Sequence, residues 1–461
     1  MRSATNDPIS GRAYLGLCLA AALVGLVTSV GVWLFTKGFG LINSLTLGRF
    51  DSLPGPVGVL ATVAIPALGG LLVALWMHAL SKPDKLASMA HVIDGVAEQG
   101  GRLNYRNGAV FVLGAMLGIG LGAPVGADTP SAMIGGHFGT WLAQRMRWPT
   151  IFIRVLVVAG VAAGISATFF AQLAAVFFAL EIVLGGFGGA LFVVPTLIAV
   201  LASALFTFTV GGMPVQYTVT AGEGPWAARL ALYVGVALLA AVAAIVYVKL
   251  MPRMKALWLQ VKLPFWARTA LAGLIVGVVG IWLPGVFGTG LSQMKTIFSG
   301  VGFPFGMLIA LLLAKIILTP SSLGAGFVGG VIGPALLIGS ALGAAYGDVV
   351  VRVFPGIQIS PVAFAMVATA AMLAGTFHAL LCAAFDMLRH ASCDNASVLL
   401  HMLAVIDAIG QEAQAPEARR LLLRHVSLIQ AESLAGDLIE RDRQAIQCSG
   451  QALQTKLEGA P

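Results

Sequence analysis

Gly126-Ala-Asp-Thr-Pro130-Ser-Ala-Met-Ile-Gly-Gly-His-Phe-Gly139 and Gly330-Val-Ile-Gly-Pro334-Ala-Leu-Leu-Ile-Gly-Ser-Ala-Leu-Gly343 are one phrase written twice, 204 residues apart. Both copies read G-x-x-x-P-x-x-x-I-G-x-x-x-G. A second pair follows at an offset of 205: Phe170-Ala-Gln-Leu-Ala-Ala-Val-Phe-Phe-Ala-Leu-Glu181 and Gly375-Thr-Phe-His-Ala-Leu-Leu-Cys-Ala-Ala-Phe-Asp386, each an apolar run ending on a carboxylate. Two matches in the same order at nearly the same spacing predict a two-fold internal repeat of about 200 residues. The relative orientation of the halves is open at this stage.

Composition supplies the solvent. Of 461 residues, 58% are hydrophobic and only 10% are charged, against about 25% charged in an average soluble domain. Mean hydropathy is +0.93. A soluble core of this size cannot hide so much apolar side chain. Most of the chain therefore belongs in lipid, and a soluble enzyme, a nucleic-acid binder and a disordered chain are poor readings. The 57 glycines suit close helix packing and broken helices within a membrane.

The net charge of +8 does not imply a nucleic-acid partner. Its basic excess lies before residue 386, among apolar runs, where Lys and Arg mark helix ends and cytoplasmic loops. Cys18, Cys382, Cys393 and Cys448 have neither paired nor metal-ligand spacing, so no metal and no cofactor is expected. No set of nucleophile, base and metal ligands supports an enzyme.

Residues 1–12 read as a polar leader. The first apolar run is too long for a removable signal peptide and is read as a retained helix. Apolar runs then crowd residues 13–386, and several are too short or too interrupted for a simple span of about 20 residues. Such segments predict discontinuous helices lining a site at mid-depth. The expected fold is an all-α, polytopic membrane protein whose repeat halves span about 57–185 and 267–386. Residues 387–461 read as a polar, cytoplasmic helical tail, and 17 of the 76 residues from Asp386 onward are charged.

The chemistry concentrates at the repeated phrase. Pro130 suits the first turn of a helix. Free N–H groups at a helix start, with the positive end of its dipole, receive anions. Asp128 stands just before Pro130, as an N-cap or as a tethered anion. The counterpart Gly329-Gly-Val-Ile-Gly-Pro334 carries no carboxylate. One helix start is thus expected to be self-occupied and the other open to a diffusible anion. Among other polar groups, His137 is expected to be a packed, hydrogen-bonded histidine, and Glu181 a structural group. Lys315 either attracts anions or snorkels to the interface.

These residues resemble the CLC family of chloride channels and chloride/proton exchangers. Gly126, Ala127, Asp128, Thr129 and Pro130 resemble the family's G-R-E-G-P. Gly330, Val331, Ile332, Gly333 and Pro334 resemble its G-x-F-x-P, and Ser88-Met-Ala-His-Val-Ile-Asp-Gly95 is similar to its G-S-G-I-P-E-I-E-G. The resemblance implies a homodimer in the bacterial inner membrane. It implies an anion held by the Ser88 hydroxyl and by backbone N–H groups of the Gly330–Gly333 segment, chiefly those of Val331 and Ile332. It makes Asp128 the gate, a carboxylate that occupies an anion position, is protonated and swings away.

Four departures follow from the same comparison. Asp128 is one methylene shorter than the family's glutamate, which predicts reduced reach. Ala127 replaces an arginine. Ile182 stands where exchangers place a second glutamate that relays protons. No tyrosine follows Tyr346, whereas the family closes its central site with a tyrosine on the last membrane helix. The expected function is therefore passive or weakly proton-coupled transport of chloride or a similar monovalent anion. Two alternatives stand beside it: a non-conducting structural or regulatory subunit, and an unrelated inverted-repeat transporter of organic anions.

Overall fold

Proline and glycine punctuation cuts the apolar chain into helices of unequal length. The computed structural model describes residues 10–50, 55–80, 89–211, 226–355 and 359–377. The helices are α1 (Gly11–Leu45), α2 (Leu47–Phe50), α3 (Pro56–Leu80), α4 (Met89–Ala97), α5 (Tyr105–Gly120), α6 (Asp128–Arg145), α7 (Thr150–Phe169) and α8 (Gln172–Phe178). A π-helical turn, Ala179–Leu184, continues α8. Then come α9 (Ala190–Val210), α10 (Trp226–Gln260), α11 (Phe265–Trp282), a short 3-10 turn at Pro284–Val286, α12 (Leu291–Phe298), α13 (Phe305–Ala325), α14 (Ile332–Val353) and α15 (Pro361–Phe377). Among the described residues, 8 helices are long and apolar enough to cross a membrane. Their outward faces carry large apolar side chains, such as Leu19, Leu23 and Leu34 on α1 and Leu201 and Leu205 on α9. That is the pattern expected where the solvent is lipid.

The order α3–α7 recurs as α11–α15: a long helix, a short amphipathic one, a span, a helix starting at depth, and its partner. The short helices α4 and α12 carried no apolar run long enough to announce them.

The glycines of the repeated phrase explain why it is repeated. A Cβ at Gly135 would strike the backbone of Gly160, and one at Gly139 would strike that of Leu156, so both glycines seat α6 against α7. Their counterparts Gly339 and Gly343 seat α14 against Thr369 and Phe364 of α15 in the same way. Without a hydrophobic drive between helices in lipid, such backbone approach supplies the packing energy. The helices α3 and α11 also meet through glycine: Gly70 abuts Thr269, and Gly273 abuts Pro66.

The helices are broken where the two halves meet. Just past the end of α5 stands Gly122, with φ +100, and just past the end of α13 stands Gly326, with φ +126. Both angles suit glycine alone. The two positions are again 204 apart, a match lying just upstream of the repeated phrase. The links that follow, 121–127 and 326–331, are buried and non-helical. Their backbone groups find partners within the protein, as they must at membrane depth. Thr319 Oγ1 donates to the Pro124 carbonyl at 2.7 Å, and Thr269 Oγ1 to that of Ala325 at 2.9 Å.

Candidate functional site

The two links join each other. Gly126 N–H donates to the Gly330 carbonyl at 2.6 Å, and Gly330 N–H donates to the Gly126 carbonyl at 2.7 Å. This reciprocal, antiparallel bridge pairs equivalent residues of the two halves. A local two-fold axis therefore passes between them, and the chain runs in opposite directions at the seam.

From the bridge the chain enters α6 at Asp128 and α14 at Ile332, equivalent first positions. Pro130 and Pro334 fall in the first turns, where no intrahelical N–H is required. Gly126, Ala127, Thr129, Pro130, Gly330, Val331, Ile332, Gly333 and Pro334 are all buried around one point.

That point holds the Asp128 carboxylate, which is 2% exposed. It accepts from the Val331 N–H at 3.2 Å and from the Gly333 N–H at 3.4 Å. The amide of Ile332 and that of Asp128 itself also bond to it. Thr129 Oγ1 donates to Oδ2 at 3.4 Å. A single carboxylate thus gathers N–H groups from the starts of both half-helices.

This arrangement corrects the expectation of one self-occupied helix start and one open start. Asp128 does not serve as the N-cap of α6; that position is Ala127, which makes no side-chain cap bond. It crosses instead to the start of α14 and fills the seat expected to be open. The expectation of reduced reach is corrected with it. Glycine at both bridge positions lets the two backbones touch, so the shorter side chain spans the gap. A Cβ at Gly330 would fall directly on the carboxylate.

Other candidates separate. Ser88 lies outside the described residues, as do Asp386 and the tail. His137 Nδ1 lies 2.8 Å from the Met133 carbonyl, a packed and bonded histidine as expected. Ile182 is buried in the π-helical turn, at 3% exposure. Lys315 does not snorkel: it is 0% exposed and its Nζ donates to the Gly288 carbonyl at 2.7 Å. The next residue, Thr289, places its carbonyl against Gly333. The sequence reading missed Tyr247 on α10, a fully buried phenol whose hydroxyl donates to the Val331 carbonyl at 3.3 Å. One of two tyrosines on a 35-residue helix, with Tyr233 the other, carries no spacing signal.

Comparison with known proteins agrees with this geometry. Residues 69–409 match the family described as "Voltage gated chloride channel". A "Putative chloride channel protein ClcB-like" of Ralstonia nicotianae is 30% identical over 69% of this chain and 75% of that protein. An "H(+)/Cl(-) exchange transporter ClcA" of Vibrio cholerae is 28% identical over 59% of each chain. Among solved structures, a slow cyanobacterial Cl−/H+ antiporter is similar with TM-score 0.77 and 21% identity, covering 92% of this chain and 99% of that one. A CLC-type fluoride/proton antiporter is similar with TM-score 0.73 and 19% identity, covering 88% of this chain and 98% of that one. With its two-fold repeat, its two helix starts meeting at one buried seat, and this match across most of its length, the chain belongs to the CLC family of voltage-gated chloride channel proteins.

Proposed function

We propose that the protein moves chloride or a similar monovalent anion across the membrane passively, with weak proton coupling or none. The observation that carries this reading is the Asp128 carboxylate seated on the Val331, Ile332 and Gly333 amides. A carboxylate is itself an anion. The N–H groups that hold it at the start of α14 suit any compact monovalent anion that replaces it. Asp128 is the gate. Protonation removes its charge and its claim on those N–H groups, the side chain leaves, and an anion takes the place. Gly330 keeps the approach free of side chain, and Ser88 is expected to add its hydroxyl to an anion further along the path.

Weak coupling rests on Ile182, an apolar side chain where the family resemblance calls for a proton-carrying glutamate. The working assembly is proposed to be a homodimer in a bacterial inner membrane, with residues 13–386 as the transport body.

The test is chloride efflux from liposomes containing the purified protein, started with valinomycin. Efflux well above that of protein-free liposomes is the expected result. Efflux equal to theirs would sink the transport reading and favour the non-conducting subunit.

A further inference from the structure

The N–H groups facing Asp128 from the second repeat belong to consecutive peptide units. In each planar trans unit the N–H and C=O point in opposite directions. A donor placed on the carbonyl oxygen therefore polarises the N–H on the far side, as in any chain of hydrogen bonds. Two of these units are backed in this manner. The Gly330 carbonyl, in the unit that supplies the Val331 N–H, accepts from Gly126 at 2.6 Å. The Val331 carbonyl, in the unit that supplies the Ile332 N–H, accepts from Ala335 N–H at 3.1 Å and also from Tyr247.

Tyr247 is an unusual neighbour for this peptide. It reaches the site from α10, which packs against α13, α14 and α15. It is 0% exposed and among the largest fully buried side chains. The Thr319 side chain is its other hydrogen-bonding neighbour. The Thr319 proton is committed to the Pro124 carbonyl, so its oxygen can only accept from the phenol. A carbonyl also only accepts. The phenol has a single proton, for which these two acceptors compete, and its bond at 3.3 Å goes to the Val331 carbonyl. Phenylalanine would fill the same volume, so the hydroxyl is the part that needs explaining.

We propose that Tyr247 is a positioning residue for the anion seat. Its hydroxyl, behind the Val331 carbonyl, strengthens the Ile332 N–H towards whatever anion occupies the front. It touches neither the anion nor the gate and acts through one peptide unit. The idea rests on the reading of this seat as the anion site, and deepens it by naming what tunes its affinity.

The test uses purified full-length protein with Asp128→Ala, so that the seat is open to a mobile anion. Chloride affinity is measured by titration calorimetry, and half-saturation by liposome flux. Adding Tyr247→Phe should weaken chloride binding by roughly three- to tenfold, the worth of one hydrogen bond. The melting temperature should change little. Replacing Tyr247 with 3-fluorotyrosine, a stronger donor of nearly the same shape, should tighten binding relative to tyrosine. Equal affinity with tyrosine and phenylalanine overturns the proposal. So does an equal loss with phenylalanine and 3-fluorotyrosine, which would mean packing alone. No chloride binding in Asp128→Ala with Tyr247 intact would overturn the anion-site reading as well. Binding that is present but unmoved by the phenol would overturn only the role of Tyr247.

Discussion

The carboxylate of Asp128, in the first repeat, accepts a hydrogen bond of 3.2 Å from the backbone N–H of Val331, in the second. The two residues are 203 apart in sequence. Their contact closes the seat and makes the gate a property of both halves. A buried carboxylate at membrane depth is costly unless its lone pairs are filled. Here they are filled by backbone N–H groups, which cannot move away without unwinding a helix start. The carboxylate is the mobile partner, and the seat is fixed.

Asp128→Ala should therefore leave the seat formed and unblocked. Chloride flux in liposomes should rise by several-fold, and its pH dependence should vanish, because no group remains in the seat to be protonated. Flux and pH profile both equal to the parent's would reduce Asp128 to a structural cap.

Gly330→Ala offers an independent handle on the same group. The nearest atoms to a Cβ there all belong to the Asp128 carboxylate. The methyl group should push the side chain out and raise flux at neutral pH. Combined with Asp128→Ala it should add nothing, since residues in direct contact are non-additive. An independent, multiplicative effect in the double variant would contradict this geometry.

Proton movement tests Ile182. With external pH recorded during chloride efflux, a chloride gradient should drive little or no proton uptake. Clear uptake, in fixed ratio to chloride, would require a relay that bypasses Ile182.

Lys315 is tied to the Gly288 carbonyl at 2.7 Å, one residue before Thr289, whose carbonyl abuts Gly333. Lys315→Gln retains a donor for that carbonyl but removes the amine and any charge it carries. It should reduce half-saturating chloride affinity by several-fold while the protein still purifies as a folded species. An unchanged affinity would leave Lys315 as a loop tether only.

Gly343→Val should act on folding alone. Its side chain would meet the backbone of Phe364, and a backbone has no rotamer by which to give way. A loss of ~1–3 kcal/mol or more is expected for such overpacking, read as a lower melting temperature in detergent. A melting temperature equal to the parent's would mean that α14 and α15 do not pack this closely.

How much of this was legible in the sequence varies by element. The apolar runs that crowd the chain from residue 13 on are helical wherever the residues are described, because lipid demands a continuous apolar segment with its backbone bonds closed internally. The glycines Gly135, Gly139, Gly339 and Gly343 were visible as a repeat, and their packing role follows from having no side chain. The short helices α4 and α12 were not visible, being too brief to show a period. Gly122 and Gly326 were not visible as helix stops, because one more pair of glycines at this spacing says little in a chain with 57 of them.

Sequence by itself determined the solvent, the helical content, the internal repeat and the one carboxylate at a helix start, because each of these is a local pattern of residue types. Tertiary structure decided what that carboxylate holds. Asp128 binds the other half's helix start as well as its own, and Tyr247 arrives behind the same peptide from α10. Both facts depend on distances across the fold, set by the Gly126–Gly330 bridge and the packing of α10, and no residue pattern along the chain encodes them.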